Sequence, residues 1–299
     1  METVKTVRIV FGILLAAVLL IAAGFFGYVK LAEKGIIHTD SKETVTKRYV
    51  IQDVFRDIMI TSNVSKVTVS PAEDLNVTLE VIGIESIDYE YRFEPDEMSN
   101  TDTLVIEEKD IRSGLKKLLP VTESLEIRLF LPVLFEEGTE QSFGGLKIIT
   151  KTGNCEISDV PIEWVSVSTF SGKIEISSIS SIGPVGAYTE SGNVTFTDIS
   201  AQDCSASTST GNIGFRNVVA NDGGLMMITE SGSITFEDCD STFESYLRTK
   251  TGNVRGTLIT GKAFVTETVL GKIEVPESEG TVPFTIETTT GNIVIEVKR

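Results

Sequence analysis

A four-residue signature recurs eight times between Thr150 and Gly291: Thr, any residue, Ser or Thr in all but one copy, then Gly. The glycines are Gly153, Gly172, Gly192, Gly211, Gly232, Gly252, Gly271 and Gly291, spaced 19–21 residues apart. A period near 20 marks stacked coils, because one such unit buries its apolar face only against its neighbours.

The frame of a coil follows from counting about each glycine. Seven residues before it stand Leu146, Val165, Val185, Cys204, Leu225, Ser245, Phe264 and Phe284. Five before it stand Ile148, Val167, Ala187, Ala206, Met227, Leu247, Thr266 and Ile286, and Thr stands three before it in every copy. Two after it come Cys155, Ile174, Val194, Ile213, Ile234, Val254, Ile273 and Ile293. Steps of two put such residues on one face of a strand. Each coil is therefore expected to be two short half-buried strands joined at a turn, in which Gly supplies a positive φ and the Asn that often follows tolerates the same region. The threonines should stack inside the turn, bonding one another or backbone carbonyls. The fold class expected is all-β, a parallel β-solenoid of about 20-residue coils, with residues 145–299 as its regular eight-repeat part. A leucine-rich repeat does not fit, because the returns are short and carry Asp, Ser, Pro and Gly, as in Ser158-Asp159-Val160-Pro161.

The other end of the chain has a different character. Ile9 to Tyr28 holds 20 residues without a charge, enough for a helix across a hydrocarbon core of about 30 Å. A cleaved signal peptide usually has a shorter apolar region, about 7–15 residues, ending in a small-x-small site. Here Ala22-Ala23-Gly24 lies inside the run, with Phe25-Phe26 beyond it. The expected organisation is a short tail over 1–8, a transmembrane signal-anchor helix over 9–28, a polar tether over 29–47 and irregular capping β coils over 48–144. Strand-like pieces are visible at 57–61, 67–70, 77–82, 103–107 and 125–131, and 111–119 suits a loop or one helical turn. Lys5 and Arg8 before the span balance Lys30 and Lys34 after it, so positive-inside counting does not orient it. The short N-terminal tail favours a single-pass protein in the cell membrane with its C-terminal domain extracellular. The membrane is then a partner through residues 9–28.

The net charge of −17 argues against nucleic acid, whose binding rests on basic groups neutralising phosphates. Cys155 and Cys204 fall on inward positions and Cys239 on a connection, with no spacing that suggests zinc or a disulfide. Trp164 sits just before a strand as a packing residue. His38 is the one histidine and lies in the tether, so the folded body has no Ser/His/Asp or Cys/His constellation. No phosphate-binding loop or metalloprotease motif appears. Glu156, Glu175 and Glu274 share the third position after a repeat glycine. They suit solubilising outward positions better than a glycosidase pair. No catalytic, cofactor-binding or metal residue is assigned, and no cofactor is expected.

The repeated T-x-[ST]-G-[NKS]-[IV]-x-[IVF] units, the strand SLEIRLFLP over Ser124–Pro132 and the entry DIMITSNVSKVTVSPAEDLNVTLEV together resemble the bacterial putative-adhesin family of unknown function. That family includes membrane-anchored LiaG-type and YvlB-type proteins of Gram-positive bacteria, and the resemblance covers about residues 50–299. It implies a β-solenoid linked with cell-envelope stress responses and no established enzymatic activity. The leading expectation is a non-enzymatic, membrane-anchored extracytoplasmic solenoid that meets a cell-wall polymer or another envelope protein. The alternatives are a carbohydrate-active enzyme on the same fold and a cytoplasm-facing scaffold of a membrane signalling complex.

Overall fold

The computed structural model describes residues 44–84, 87–96, 101–110, 124–133 and 143–298. The apolar run 9–28, His38 and the segment 111–119 lie outside the described residues. Every regular element described is a strand. The first seven are β1 (Val45–Ile51), β2 (Asp57–Ser62), β3 (Lys66–Pro71), β4 (Val77–Gly83), β5 (Ile87–Asp96), β6 (Thr101–Asp110) and β7 (Glu126–Leu131). The repeat follows as strand pairs: β8 (Phe143–Thr150) with β9 (Cys155–Ser158), β10 (Ile162–Ser171) with β11 (Ile174–Ser180), β12 (Val185–Ser191) with β13 (Val194–Ala201), and β14 (Cys204–Thr210) with β15 (Ile213–Ala220). Four more pairs complete it: β16 (Leu225–Ser231) with β17 (Ile234–Ser241), β18 (Ser245–Thr251) with β19 (Val254–Leu258), β20 (Ala263–Leu270) with β21 (Ile273–Glu274), and β22 (Pro283–Thr290) with β23 (Ile293–Val297). β1 begins inside the segment expected to be a tether, and β5, where Ile87, Tyr89, Tyr91 and Phe93 alternate with charged residues, is a strand beyond those expected.

Each pair gives one strand to each of two sheets. The first sheet has 12 strands in the order β1-β4-β7-β3-β9-β11-β13-β15-β17-β19-β23-β21. The second has 11, in the order β20-β22-β18-β16-β14-β12-β10-β8-β2-β6-β5. From β3 to β21, and from β6 to β20, all neighbours run parallel and equivalent residues face each other, as Val194 faces Ile174 and Ile213. The inward residues of both sheets meet in one continuous core. Phe196 and Phe215, on adjacent coils, stack at 4.6 Å with ring planes 7° apart.

The turn is held only partly as expected. Only Gly211, Gly252 and Gly291 of the eight repeat glycines have φ in the left-handed range, at 154°, 155° and 159°. What the turn demands throughout is close stacking. A Cβ on Gly192 would lie 2.1 Å from the carbonyl oxygen of Gly172, and one on Gly211 would lie 1.9 Å from that of Gly192. The threonine column behaves as expected, with hydroxyls of Thr189, Thr208, Thr229 and Thr249 donating to the glycine carbonyl of the preceding coil at 2.8–3.2 Å. The asparagines serve as acceptors. Asn193 Oδ1 takes the backbone N–H of Asn212, and Asn212 Oδ1 takes that of Ser233, both at 2.8 Å. Each side chain thereby satisfies a turn amide that has no other partner in the sheet.

Positive φ appears instead six residues after the glycine, at Asp159, Ser178, Asp198, Asn217 and Asp238, with values of 51–55°. Asn and Asp enter this region more readily than other non-glycine residues. The bend reverses the alternation, so the next residue points inward: Val160, Ile179, Ile199, Val218 and Cys239 are all buried. Cys239 therefore lies within β17 and is fully buried, not in a connection.

Both ends depart from simple stacking. At the N-terminal end the β2–β3 coil lies inside the β6–β7 coil, and β4, β1 and β5 add on antiparallel. At the C-terminal end the last coil in sequence, β22–β23, lies between β18–β19 and β20–β21. Gly252 N–H accordingly bonds Thr290 O, and Gly291 N–H bonds Leu270 O. The inward residues explain the order. Phe284, Ile286, Ile293 and Ile295 are strongly apolar and fully enclosed, whereas the outer coil places Thr266 where its neighbours carry Leu247 and Ile286.

Candidate interaction surface

The outward residues of the two sheets differ in kind. On the first sheet many are charged and paired, Lys66 with Glu156 and Lys173 with Glu175, both at 2.6 Å, Arg128 with Glu126 at 2.5 Å and Arg216 with Glu237 at 3.1 Å, while Thr195, Gly214 and Thr235 continue the row of Glu175. Glu156 and Glu175 face each other in register, but each is engaged by its own lysine. Glu274 lies on the terminal strand β21, away from both. The shared position thus brings two of the three candidate carboxylates together and leaves the third at the tip.

On the second sheet two of the outward rows carry no charge over the middle coils, whereas the row beside the turn holds Glu190, Glu230 and Lys250, the last two paired at 2.6 Å. Register aligns Ser166, Gly186, Ser205 and Met226 in one row, and Ser168, Tyr188, Ser207 and Ile228 in the next. Tyr188 is 47% exposed and Met226 44%, and Phe170, 60% exposed at the end of β10, borders these rows from the turn side, next to Glu190. Ser168 and Ser207 flank Tyr188, so its ring stands above a shallow floor, and Met226 lies beside Tyr246. Lys147 bounds the strip on one side, and Arg248 bounds it on the other, 3.8 Å from Glu287. Aromatic residues and Met with few charges are the composition of interface centres. The strip escaped sequence reading because its members share no residue type. Only the absence of Lys, Arg, Asp and Glu from these positions marks it. Trp164 lies flat over Gly145 of the neighbouring coil, where a Cβ would meet its ring at 1.9 Å, which accounts for it as a packing residue.

The hollows among the described residues include two that border polar side chains. One of about 690 Å³ lies beside the β3–β4 turn, between Leu75, Val133 and Pro161, with Asp74 and Asp159 at its rim. The Asp74 carboxyl accepts the Asn76 N–H at 2.9 Å, which holds it below its ordinary range. A smaller notch of about 430 Å³ opens at Gly214, whose missing side chain separates Thr195 from Thr235. Neither brings a nucleophile against a base. Among the described residues no group of three His, Cys, Asp or Glu is placed to hold a metal ion.

A family model covers the coils from β12 onward. Residues 180–299 match the Toastrack DUF4097 family model. This Toastrack match agrees with the family resemblance carried by the repeated turn. Among solved structures, a putative cell adhesion protein from Clostridium sporogenes ATCC 15579 is 12% identical, covering 85% of this chain and 100% of its own, with a TM-score of 0.29. A putative adhesin from Bacteroides fragilis NCTC 9343 is 12% identical, covering 86% and 98%, with a TM-score of 0.42. A structure titled as a putative lipid binding protein from Parabacteroides distasonis ATCC 8503 is 12% identical, covering 85% and 97%, with a TM-score of 0.33. No curated protein matches the chain.

Proposed function

We propose that this chain is a non-enzymatic, membrane-anchored interaction protein of the cell envelope, held by residues 9–28 and presenting its β coils outside the cytoplasm to a wall polymer or another envelope protein. The observation that carries the reading is the pair of uncharged rows around Tyr188 and Met226, with exposed Phe170 at their border, on a chain of net charge −17. Exposed apolar patches of this kind mark contact sites, and a parallel sheet presents them at a fixed spacing of about 4.8 Å. Coil length varies by only two residues, from 19 to 21, so no inserted loop builds a deep active site over the repeat. The carbohydrate-active alternative has less support, because the lysines beside Glu156 and Glu175 hold both carboxylates in ion pairs.

Two measurements test this. Protease added to intact, wall-stripped cells should digest the coil domain as readily as it does after lysis; protection until lysis overturns the extracytoplasmic placement and favours the cytoplasmic scaffold. Binding of the full chain to isolated cell envelopes should weaken at least about tenfold, about 1.4 kcal/mol, when Phe170 and Tyr188 are both replaced by Ala. The same variant should keep its thermal midpoint, since both rings are exposed. Undiminished binding by the folded variant rules the strip out as the contact.

A further inference from the structure

The two ends of the coil stack are finished differently. At the N-terminal end the second sheet stops at β5, which is antiparallel and carries Asp88, Glu90, Arg92, Glu94 and Pro95. Charge and proline of this kind keep an edge strand from pairing. At the C-terminal end both sheets stop together on the coil formed by β20 and β21. β20 carries one charge, Glu267, in eight residues. Val265, Val269, Leu270 and Ile273 are exposed there, Val269 and Leu270 at 67% each, and Phe264 and Val275 are only half-buried against the end of the core. Two open edges flanking an unsealed apolar core are a template for more strand.

We propose that this end docks a second copy of itself about a two-fold axis perpendicular to the coil stack. The occupant must offer two strand edges at the same separation and an apolar centre between them, and another copy of this coil offers both. The charges at its two corners are complementary under that symmetry. Lys272 follows the turn at the end of β20. Ser278 lies at the start of β20, where its Oγ accepts the Phe264 N–H at 3.0 Å, and Glu277 and Glu279 flank it, both exposed. The two-fold axis that crosses the strands sets β20 antiparallel on its own copy, so the Lys272 corner of each copy meets the Glu277–Glu279 corner of the other. The contact is closed, as isologous interfaces are, and it uses a surface of low charge on chains whose net charge of −17 opposes close approach elsewhere.

The test is sedimentation equilibrium of the full chain in detergent micelles. A dimer is expected. Lys272→Glu should weaken it about tenfold, since two like-charge contacts replace two ion pairs. Adding Glu277→Lys and Glu279→Lys to the same chain should restore it. All three positions are exposed, and the thermal midpoint of each variant checks that the fold is kept. A paired-cysteine chain, Lys272→Cys with Glu279→Cys, should form a crosslinked dimer on mild oxidation, whereas either single change should not. A monomer at every concentration overturns the proposal. So does a dimer indifferent to the charge swap, because association through residues 9–28 would behave that way. The readout is mass and does not depend on envelope binding, so this proposal and the functional reading fail separately.

Discussion

Cys155, Cys204 and Cys239 occupy inward places where other coils carry Ile, Val or Leu, and all three are free and fully buried. Burial is the main cause that pushes Cys155 and Cys204 up to about 12 and Cys239 up to about 11. An unfolded thiol ionises near 8.5. Above that pH the unfolded chain gives up protons that the folded chain keeps, so stability falls as pH rises. The contribution is whole below about pH 8.5 and is lost progressively toward the folded values, at about 1 kcal/mol per thiol per pH unit. Urea unfolding at pH 7 and pH 10 should show that loss, and replacing all three cysteines by Ala should flatten most of it. Tyr89, raised to about 12 chiefly by burial, adds its own loss only near the top of this range. Equal stability of the native chain at the two pH values would mean that the thiols are not enclosed as described.

The turn carries the clearest prediction for an element. Gly211→Val would drive a branched side chain into the Gly192 carbonyl, 1.9 Å from its Cβ, at a φ of 154°. Overpacking and backbone strain together should cost about 2–5 kcal/mol, read as a lowered denaturation midpoint. Gly214→Ala is the contrast, because its Cβ meets only Thr235 Oγ1 at 3.5 Å; it should be neutral or stabilising by up to about 1 kcal/mol. The strand pairs and threonine column were legible in the sequence because period-two alternation and an invariant hydroxyl leave direct marks. The left-handed column was not. Asp159, Ser178, Asp198, Asn217 and Asp238 look like ordinary outward polar residues, and counting in twos past them puts Ile179, Ile199 and Val218 on the wrong face. A bend that reverses the alternation is visible only when the recurrence of an Asx or Ser just before an apolar residue is treated as a column of its own. The charge-free strip was hidden for another reason: it is defined across coils by register, and no single coil displays it.

At the scale of the molecule, order in sequence and order in space part company at the C-terminal end, and local stability should follow space. β22 and β23 lie between two coils and enclose Phe284, Ile286, Ile293 and Ile295. β20 and β21 precede them in the chain but have a strand on one side only and leave Val269 and Leu270 open. Amides in coils with neighbours on both faces open only in large cooperative units, whereas an outermost coil frays on its own. Hydrogen exchange should therefore be slow over Pro283–Val297 and faster over Ala263–Glu274, the reverse of what a stack fraying from its chain terminus would give. The connection favours the same result. Lys262 enters the core edge, where its Nζ lies 2.6 Å from Asp240 Oδ1 and 2.6 Å from Ser241 O, so the crossing to the outer coil is fixed at its root while β20 and β21 beyond it are held from one side. Fast exchange over Pro283–Val297 together with slow exchange over Ala263–Glu274 would show that the coils stack in chain order. At high protein concentration the two-fold contact should slow exchange in β20 and β21 and leave β22 and β23 unchanged, which separates protection by a second copy from protection within the chain.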